Sequence, residues 1–281
     1  MFNSTILDVV IGLSFCFFVV SIITSATVEG IASLLKWRAA TLLDGVKSLL
    51  NDSGTGLAKD IFNSALVNPR APGNAASTDA LTARPSYIDP KQFGNALIDV
   101  LKLAPGTVAE LQKNIDTKIS DLQIRAMLHG MILRTSGDLG RLRDELASWF
   151  DASMDRVSGV YKRKVQAWTF LVALTLSVLL NVDTFSIATK LWEQPIVANK
   201  ITGAQYPSPR SALDALEEIG LPMGWDEATV HRFAGFGGAI MTFGWLISAV
   251  SALFGAPFWF DTLQQFVRLR GAGPRADGAE R

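Results

Sequence analysis

Apolar residues recur at two different spacings along this chain, and residues 136–182 contain the change from one to the other. In the first half of that stretch Leu142, Leu146, Phe150, Met154, Val157, Tyr161, Val165 and Trp168 return every three or four positions, which lays them along one helical face. After Lys164 no charge occurs until Asp183, and ten Leu, Val or Phe residues fill the uncharged run. On an insertion scale that run is worth at most roughly 3–6 kcal/mol in favour of lipid. The pattern predicts one helix that starts in water and ends in a bilayer, roughly 70 Å long at about 1.5 Å per residue. Lys162, Arg163 and Lys164 form a collar at the seam, where their stems can lie on apolar surface while their charges reach phosphates. Tyr161 and Trp168 suit the same wet-to-dry boundary. Gly159 is the weak point of this helix and a candidate bend.

Two more apolar blocks predict two more spans. The first covers residues 6–28; the amino-terminal region MFNSTILD lacks Lys and Arg, so a retained span is expected rather than a cleavable signal peptide. The next covers residues 233–256 and stops at Pro257, which interrupts helical hydrogen bonding. Residues 257–270, PFWFDTLQQFVRLR, set Trp259 and neighbouring apolar residues against Arg268 and Arg270, the pattern of a helix lying at headgroup level. Residues 271–281 are Gly, Pro and charge, and are expected to be disordered. Lys36, Trp37 and Arg38 make a basic and aromatic exit from the first span.

The extramembrane stretches predict helices and no strands. In residues 37–164, Leu42, Val46, Leu49 and Leu50 give one amphipathic segment, and Leu57, Ile61, Ala65 and Leu66 a second. Residues 68–86 are rich in Pro, Ala and small polar groups and read as a flexible linker. Asp89 followed by Pro90 starts a helix bearing Phe93, Leu97 and Leu101. Thr107 with Glu110 predicts a capping box for the next helix, and Ser120 with Gln123 another. These short helices are expected to pack on the first half of the long one as a small bundle. Residues 183–232 read as an extracytoplasmic loop with helical pieces at 186–191 and 212–219, broken by Pro195, Pro207, Pro209 and Pro222.

Composition agrees with the pattern. The chain of 281 residues is 49% hydrophobic and only 19% charged, which places it among integral membrane proteins. Its formal net charge is zero, so no nucleic-acid partner is expected. Cys16 is the single cysteine, which excludes an intramolecular disulfide. Within about fifteen residues of the span ends, Lys36, Arg38, Arg156, Lys162, Arg163, Lys164, Arg268, Arg270 and Arg275 fall on one side and only Lys190 and Arg232 on the other. Residues 37–164 and the carboxyl terminus are therefore expected in the cytosol, with the amino terminus outside.

Candidate chemistry is sparse. Each span carries a small or polar stripe at helical spacing: Ser14, Ser21 and Ser25; Thr169, Ala173 and Ser177; Gly244, Ser248, Ala252 and Gly255. Such stripes are the usual packing surface between helices in lipid. In a ring of copies they would instead line an aqueous path, with Glu29 near one mouth and Asn181 and Asp183 near the other. Glu29 reads as an interfacial carboxylate paired with Lys36 or the collar, a proton or ion site being the alternative. Asp151 and Asp155 read as solvated charge beside Arg156. The segment GTGLAK lacks the loop length and the hydroxyl residue of a P-loop, GFGG follows no strand, and HExxH and GxSxG are absent. No catalytic residue, cofactor or metal ligand is assigned.

Four stretches, ILDVVIGL at Ile6, MDRVSGVYKRK at Met154, LNVDT at Leu180, and GAPFWFDTL followed by RLRG in residues 255–271, resemble an uncharacterised family of bacterial three-span inner-membrane proteins. The resemblance implies a bacterial inner-membrane setting and no particular activity. The expected fold is all-α, with three transmembrane helices, a cytosolic helical domain between the first two, and one helix continuous from cytosol into the second span. The expected function is that of a membrane anchor or scaffold presenting the cytosolic domain to a protein partner, with anionic lipid headgroups at the basic collar. A homo-oligomeric channel or transport component is the alternative.

Overall fold

The structure is a computed structural model and describes residues 5–52, 56–193, 223–235 and 237–271, of which Arg270 and Gly271 are described in backbone only. Among these residues there are helices and no strands. The helices are α1 (Thr5–Leu34), α2 (Trp37–Leu49), α3 (Leu57–Asn63), α4 (Pro90–Val100), α5 (Val108–Lys118), α6 (Leu122–Arg134), α7 (Leu139–Leu179), α8 (Thr184–Glu193), α9 (Glu227–Ala234), α10 (Gly237–Ala252) and α11 (Ala256–Gly271). They form two compact units, one of Ala32–Arg163 and one of Met1–Ile31 with Lys164–Arg281.

The unit Ala32–Arg163 is a helical bundle with its own core. Local capping chemistry sets most of its helix starts. Asp89 accepts from the Gln92 amide with Pro90 in the first turn, and Thr107 and Glu110 close the expected box. The start of α6 differs from the expectation by one residue. Its cap is Asp121, whose carboxylate takes the Ile124 amide at 2.8 Å and the Asn51 side-chain amide at 2.5 Å. The ionised carboxylate takes one donor on each oxygen and holds both more strongly than the neutral Ser120 hydroxyl would. Helix α7 likewise starts later than expected, because Ser136 and Gly137 both sit in the left-handed region and Asp138 then caps the Arg141 amide.

The amphipathic repeat of α7 buries Leu142, Leu146 and Phe150. Phe150 stacks on Phe93 at 4.1 Å between ring centres, and Leu97, Ile115, Leu128 and Ile132 are likewise sealed from solvent. Gly94 lets α4 approach α7 closely, since a Cβ there would lie 2.8 Å from the Arg143 carbonyl oxygen. Residues 68–86, expected as a flexible linker, form no helix and make several contacts through side chains. Asn63 exchanges two hydrogen bonds with the Ala75 backbone, Asn68 donates to the Ala83 carbonyl at 2.9 Å, and Val67 and Leu81 are buried.

The caps carry a pH dependence. The Asp121 carboxyl lies below the ordinary aspartate range because the Ile124 amide, and then the Asn51 side chain, donate to its charged form. Asp138 is lowered chiefly by the Arg141 amide. A depressed pKa adds stability that is complete above the unfolded value and is lost as pH falls through the folded one. Acid is therefore expected to weaken this unit below about pH 4, the ordinary carboxylate range. Asp121→Asn with Asp138→Asn, which keeps the caps but removes the titration, is expected to flatten that acid limb in circular-dichroism melts of the full chain.

The second unit is built on α1, which is predominantly apolar. Ile11, Phe15 and Val19 are fully buried, and this 30-residue helix is long and apolar enough to cross a membrane. The other two expected spans are not single straight helices. Helix α7 meets the length and hydropathy requirement only together with α8, which is bent from it by 53°, and α10 only together with α9, at 105°. The third apolar block, expected as one helix over 233–256, is interrupted at Gly235, and α10 ends at Ala252. Gly238 lies so close to the Phe233 carbonyl that no Cβ fits there, and Gly255 turns the chain at φ +82° into α11.

Helix α8, expected in an extramembrane loop, belongs to this core. Ile187 and Leu191 are buried, and Leu191 fills the space beside Gly12 of α1, where a Cβ would come within 2.5 Å of its Cδ1. Helix α11, expected at the headgroups, also packs on α1, with Phe17 and Trp259 at 4.8 Å and Phe18 and Phe260 at 5.7 Å between ring centres. The expected helical piece at 212–219, the four loop prolines and residues 272–281 lie outside the described residues.

Polarity along α10 is inverted relative to a helix in water. Ile240, Phe243, Ile247 and Val250 are exposed, while Gly244, Trp245, Ser248 and Ala252 face inward. Helical spacing puts the two sets on opposite faces.

Candidate functional site

The turn between α7 and α8 is where the polar side chains of the apolar unit converge. Asn181 ends α7 in the left-handed conformation, φ +49°, which Asn tolerates better than most residues. The Val182 amide then returns to the Ser177 carbonyl at 2.7 Å, which closes the helix end. Asp183 opens α8. Its carboxylate accepts from the Phe185 amide at 3.1 Å and the Ser186 hydroxyl at 2.5 Å, and Arg232 of α9 reaches it at 3.3 Å. Arg232 also donates to Ser186 at 2.7 Å.

The inward face of α10 completes the node. Gly244 lacks the side chain that would run into the Asp183 carboxylate. One turn on, Ser248 donates to the Val182 carbonyl at 2.7 Å and lies 2.8 Å from the Thr184 hydroxyl. With its one proton spent on the carbonyl, Ser248 accepts from Thr184. The Trp245 indole donates to the Asn181 side-chain oxygen at 3.1 Å, and the Asn181 amide donates to the Gly224 carbonyl at 2.9 Å. Trp225 donates to the Val178 carbonyl at 2.9 Å and, with Phe233 and Trp245, forms an aromatic cluster of centre distances between 5.5 and 5.8 Å.

Asn181, Asp183, Thr184 and Ser248 are all buried, so every bond lost here leaves a dry polar group. A cavity of about 340 Å³ adjoins the node, lined by Asp183, Ser186, Lys190, Glu193 and Arg232 among others. The arrangement neutralises a buried carboxylate and locks one helix end onto another. It sets no nucleophile beside a base, and among the described residues no three His, Cys, Asp or Glu side chains are grouped to hold a metal ion.

The residues singled out in the sequence divide between several places. Asn181 and Asp183 meet in the node. Glu29 takes no part in it; that carboxylate is exposed on α1 and makes no ion pair or hydrogen bond among the described residues. Ser14, Ser21, Ala173, Ser177, Gly244, Ser248 and Ala252 are buried within the unit, Thr169 is half-buried, Ser25 is exposed and Gly255 forms the turn before α11. Ser21 spends its hydroxyl on the Phe17 carbonyl of its own helix, as Thr169 does on Val165.

Among the interface residues, Lys36, Arg38, Lys162, Arg163, Lys164, Trp168 and Arg268 are exposed, and Arg38 lies 5.8 Å over the Tyr161 ring. Trp37 is buried in its own unit at 6% exposure. Trp259 donates to the Ser251 carbonyl at 2.6 Å instead of standing free. The side chain of Arg270 lies outside the described residues. Sequence reasoning missed Trp225, Arg232, Trp245 and the Thr184–Ser248 pair. The available signal was the Gly244 to Ser248 spacing, one helical turn, facing a turn rich in polar residues.

No protein-family model, curated protein or solved structure matches the chain.

Proposed function

We propose that this chain is a three-span membrane anchor that presents its helical unit to a cytosolic protein partner and performs no catalysis. The observation that supports it best is the inverted polarity around α10, where apolar side chains face out and Asn181, Thr184, Trp245 and Ser248 make their hydrogen bonds inside. That is the distribution expected of a protein dissolved in hydrocarbon, where polar groups must be satisfied internally. It leaves the Asn181 and Asp183 side chains committed within one chain rather than lining a path between copies. The spans in this reading are α1, α7 continued by α8, and α10 entered from α9, with the amino terminus outside and the basic collar at the inner surface of a bacterial cytoplasmic membrane.

The helical unit supplies the partner surface. Leu122 and Leu133 stand exposed on α6, and Leu49, Met127, Trp149, Met154, Val157 and Val160 border a groove of about 410 Å³. Two methionines beside polar groups such as Gln123 and Arg156 suit an amphipathic helix. Crosslinking in native membranes is expected to join a cytosolic protein to this unit, and Met127→Glu with Met154→Glu to abolish the adduct. Recovery of no partner, together with ion conduction in planar bilayers that Glu29→Gln alters, would replace the anchor by the channel.

A further inference from the structure

We propose that a groove in the helical unit, bordered by Arg38, Tyr87, Asp151, Asp155, Tyr161 and Lys162, binds the headgroup of an ethanolamine phospholipid. The inference rests on the anchor reading, which puts this groove at the membrane surface. The cavity measures about 550 Å³ and lies wholly within residues 38–162.

Its walls carry charge of both signs that the protein does not use. Among the described residues Arg38, Asp151, Asp155 and Lys162 form no ion pair and no hydrogen bond, although all four line one cavity. Arg38 lies over the Tyr161 ring, which orients its guanidinium without neutralising it. Tyr87 on the facing wall is 71% exposed. Four unpaired charges around one concavity are the complement of a ligand that itself carries both signs.

The order of those charges along α7 selects among zwitterions. Lys162 belongs to the basic collar. Asp155 and Asp151 lie roughly 10 and 16 Å further from it along the helix axis, at about 1.5 Å per residue. A lipid phosphate held by Arg38 and Lys162 would sit at the collar, with its amine directed away from the bilayer towards the two carboxylates. Guanidinium and ammonium groups are the usual partners of phosphate, and carboxylates beside aromatic rings those of a primary ammonium. Glycerol headgroups offer the carboxylates hydroxyl donors but no positive charge, and choline offers a charge but no N–H. The groove is also lined by Leu42, Met154 and Val157, apolar surface that suits glycerol and acyl carbons better than a free metabolite.

The test uses the full chain in detergent micelles and calorimetric titration with dihexanoyl phosphatidylethanolamine, phosphatidylglycerol, phosphatidylcholine and free phosphoethanolamine. Saturable binding is expected, tightest for the ethanolamine lipid. Asp151→Asn with Asp155→Asn should weaken that lipid by about tenfold while leaving the glycerol lipid no weaker, and Arg38→Gln with Lys162→Gln should weaken both. All four side chains are exposed or bordering the cavity, and unchanged circular dichroism of the variants will show that they fold. Equal affinity for the ethanolamine and glycerol lipids, unaffected by the Asp variants, would reduce the site to a general basic surface. Free phosphoethanolamine binding as tightly as the lipid would make it a soluble-ligand site. Either result, or no saturable binding at all, overturns the proposal. Failure of the anchor reading is separate: it would show as a chain that dissolves without detergent.

Discussion

Gly244→Ala is expected to destabilise the apolar unit by about 4 kcal/mol, far more than a helix-favouring substitution would suggest. In an unconstrained helix the same change stabilises by up to about 1 kcal/mol. Here the new methyl group would occupy the space of the Asp183 carboxylate and lie 3.2 Å from the Thr184 amide nitrogen, so the start of α8 must move away from α10. That movement strains the Thr184 to Ser248, Ser248 to Val182 and Trp245 to Asn181 bonds together. Thermal unfolding in detergent, followed through tryptophan emission of the Trp225 and Trp245 cluster, measures the loss. Asp183→Ala removes the obstructing oxygen, so the cost of Gly244→Ala should shrink markedly in that background. Two effects that merely add would contradict the close approach.

Phe150→Ala is the second large effect, expected to cost the helical unit about 3–5 kcal/mol. Its ring is 1% exposed and stacks on Phe93, itself fully buried, so truncation leaves a cavity between α4 and α7 that neither backbone can close cheaply. Limited proteolysis should then cut residues 86–139 at lower temperature, while extraction of the chain from membranes still requires detergent. A variant as protease-resistant as the parent would place Phe150 outside the core.

Much of the fold was legible in the sequence because its signals are local. The steps of three and four through Leu142, Leu146 and Phe150 gave the buried face of α7, and Asp89 with Pro90 and Thr107 with Glu110 marked helix starts. The misreadings come where neighbours compete or distant groups decide. Ser120 and Asp121 are adjacent capping residues, and only the position of Asn51, 70 residues away, favours the second. The helical spacing within the uncharged run from 233 to 256 does not reveal that glycines separate α9 from α10 and turn the chain at Gly255. Composition marks residues 68–86 as a loop but does not reveal the hydrogen bonds that Asn63 and Asn68 make to backbone groups 12 and 15 residues away.

The candidate site divides in the same way. Asn181 and Asp183 stand out because polar residues at the end of an apolar run are costly unless paired. The partners of Asn181 do not stand out, since Gly224 and Trp245 join the turn across 43 and 64 residues of chain. Glu29 drew attention for the same reason as Asp183, but it is exposed at the far end of α1, where a carboxylate needs no partner if it reaches water or headgroups.

The account depends most on the membrane placement of the two units, and thiol labelling tests it directly. In a Cys16→Ala background, Asp99→Cys and Asp144→Cys place single thiols at exposed positions of the helical unit. A maleimide that cannot cross lipid is expected to modify both only after the cells are permeabilised, with the chain resisting extraction until detergent is added. Modification of either thiol in intact cells, or release of the chain into detergent-free buffer, would contradict the anchor and its orientation.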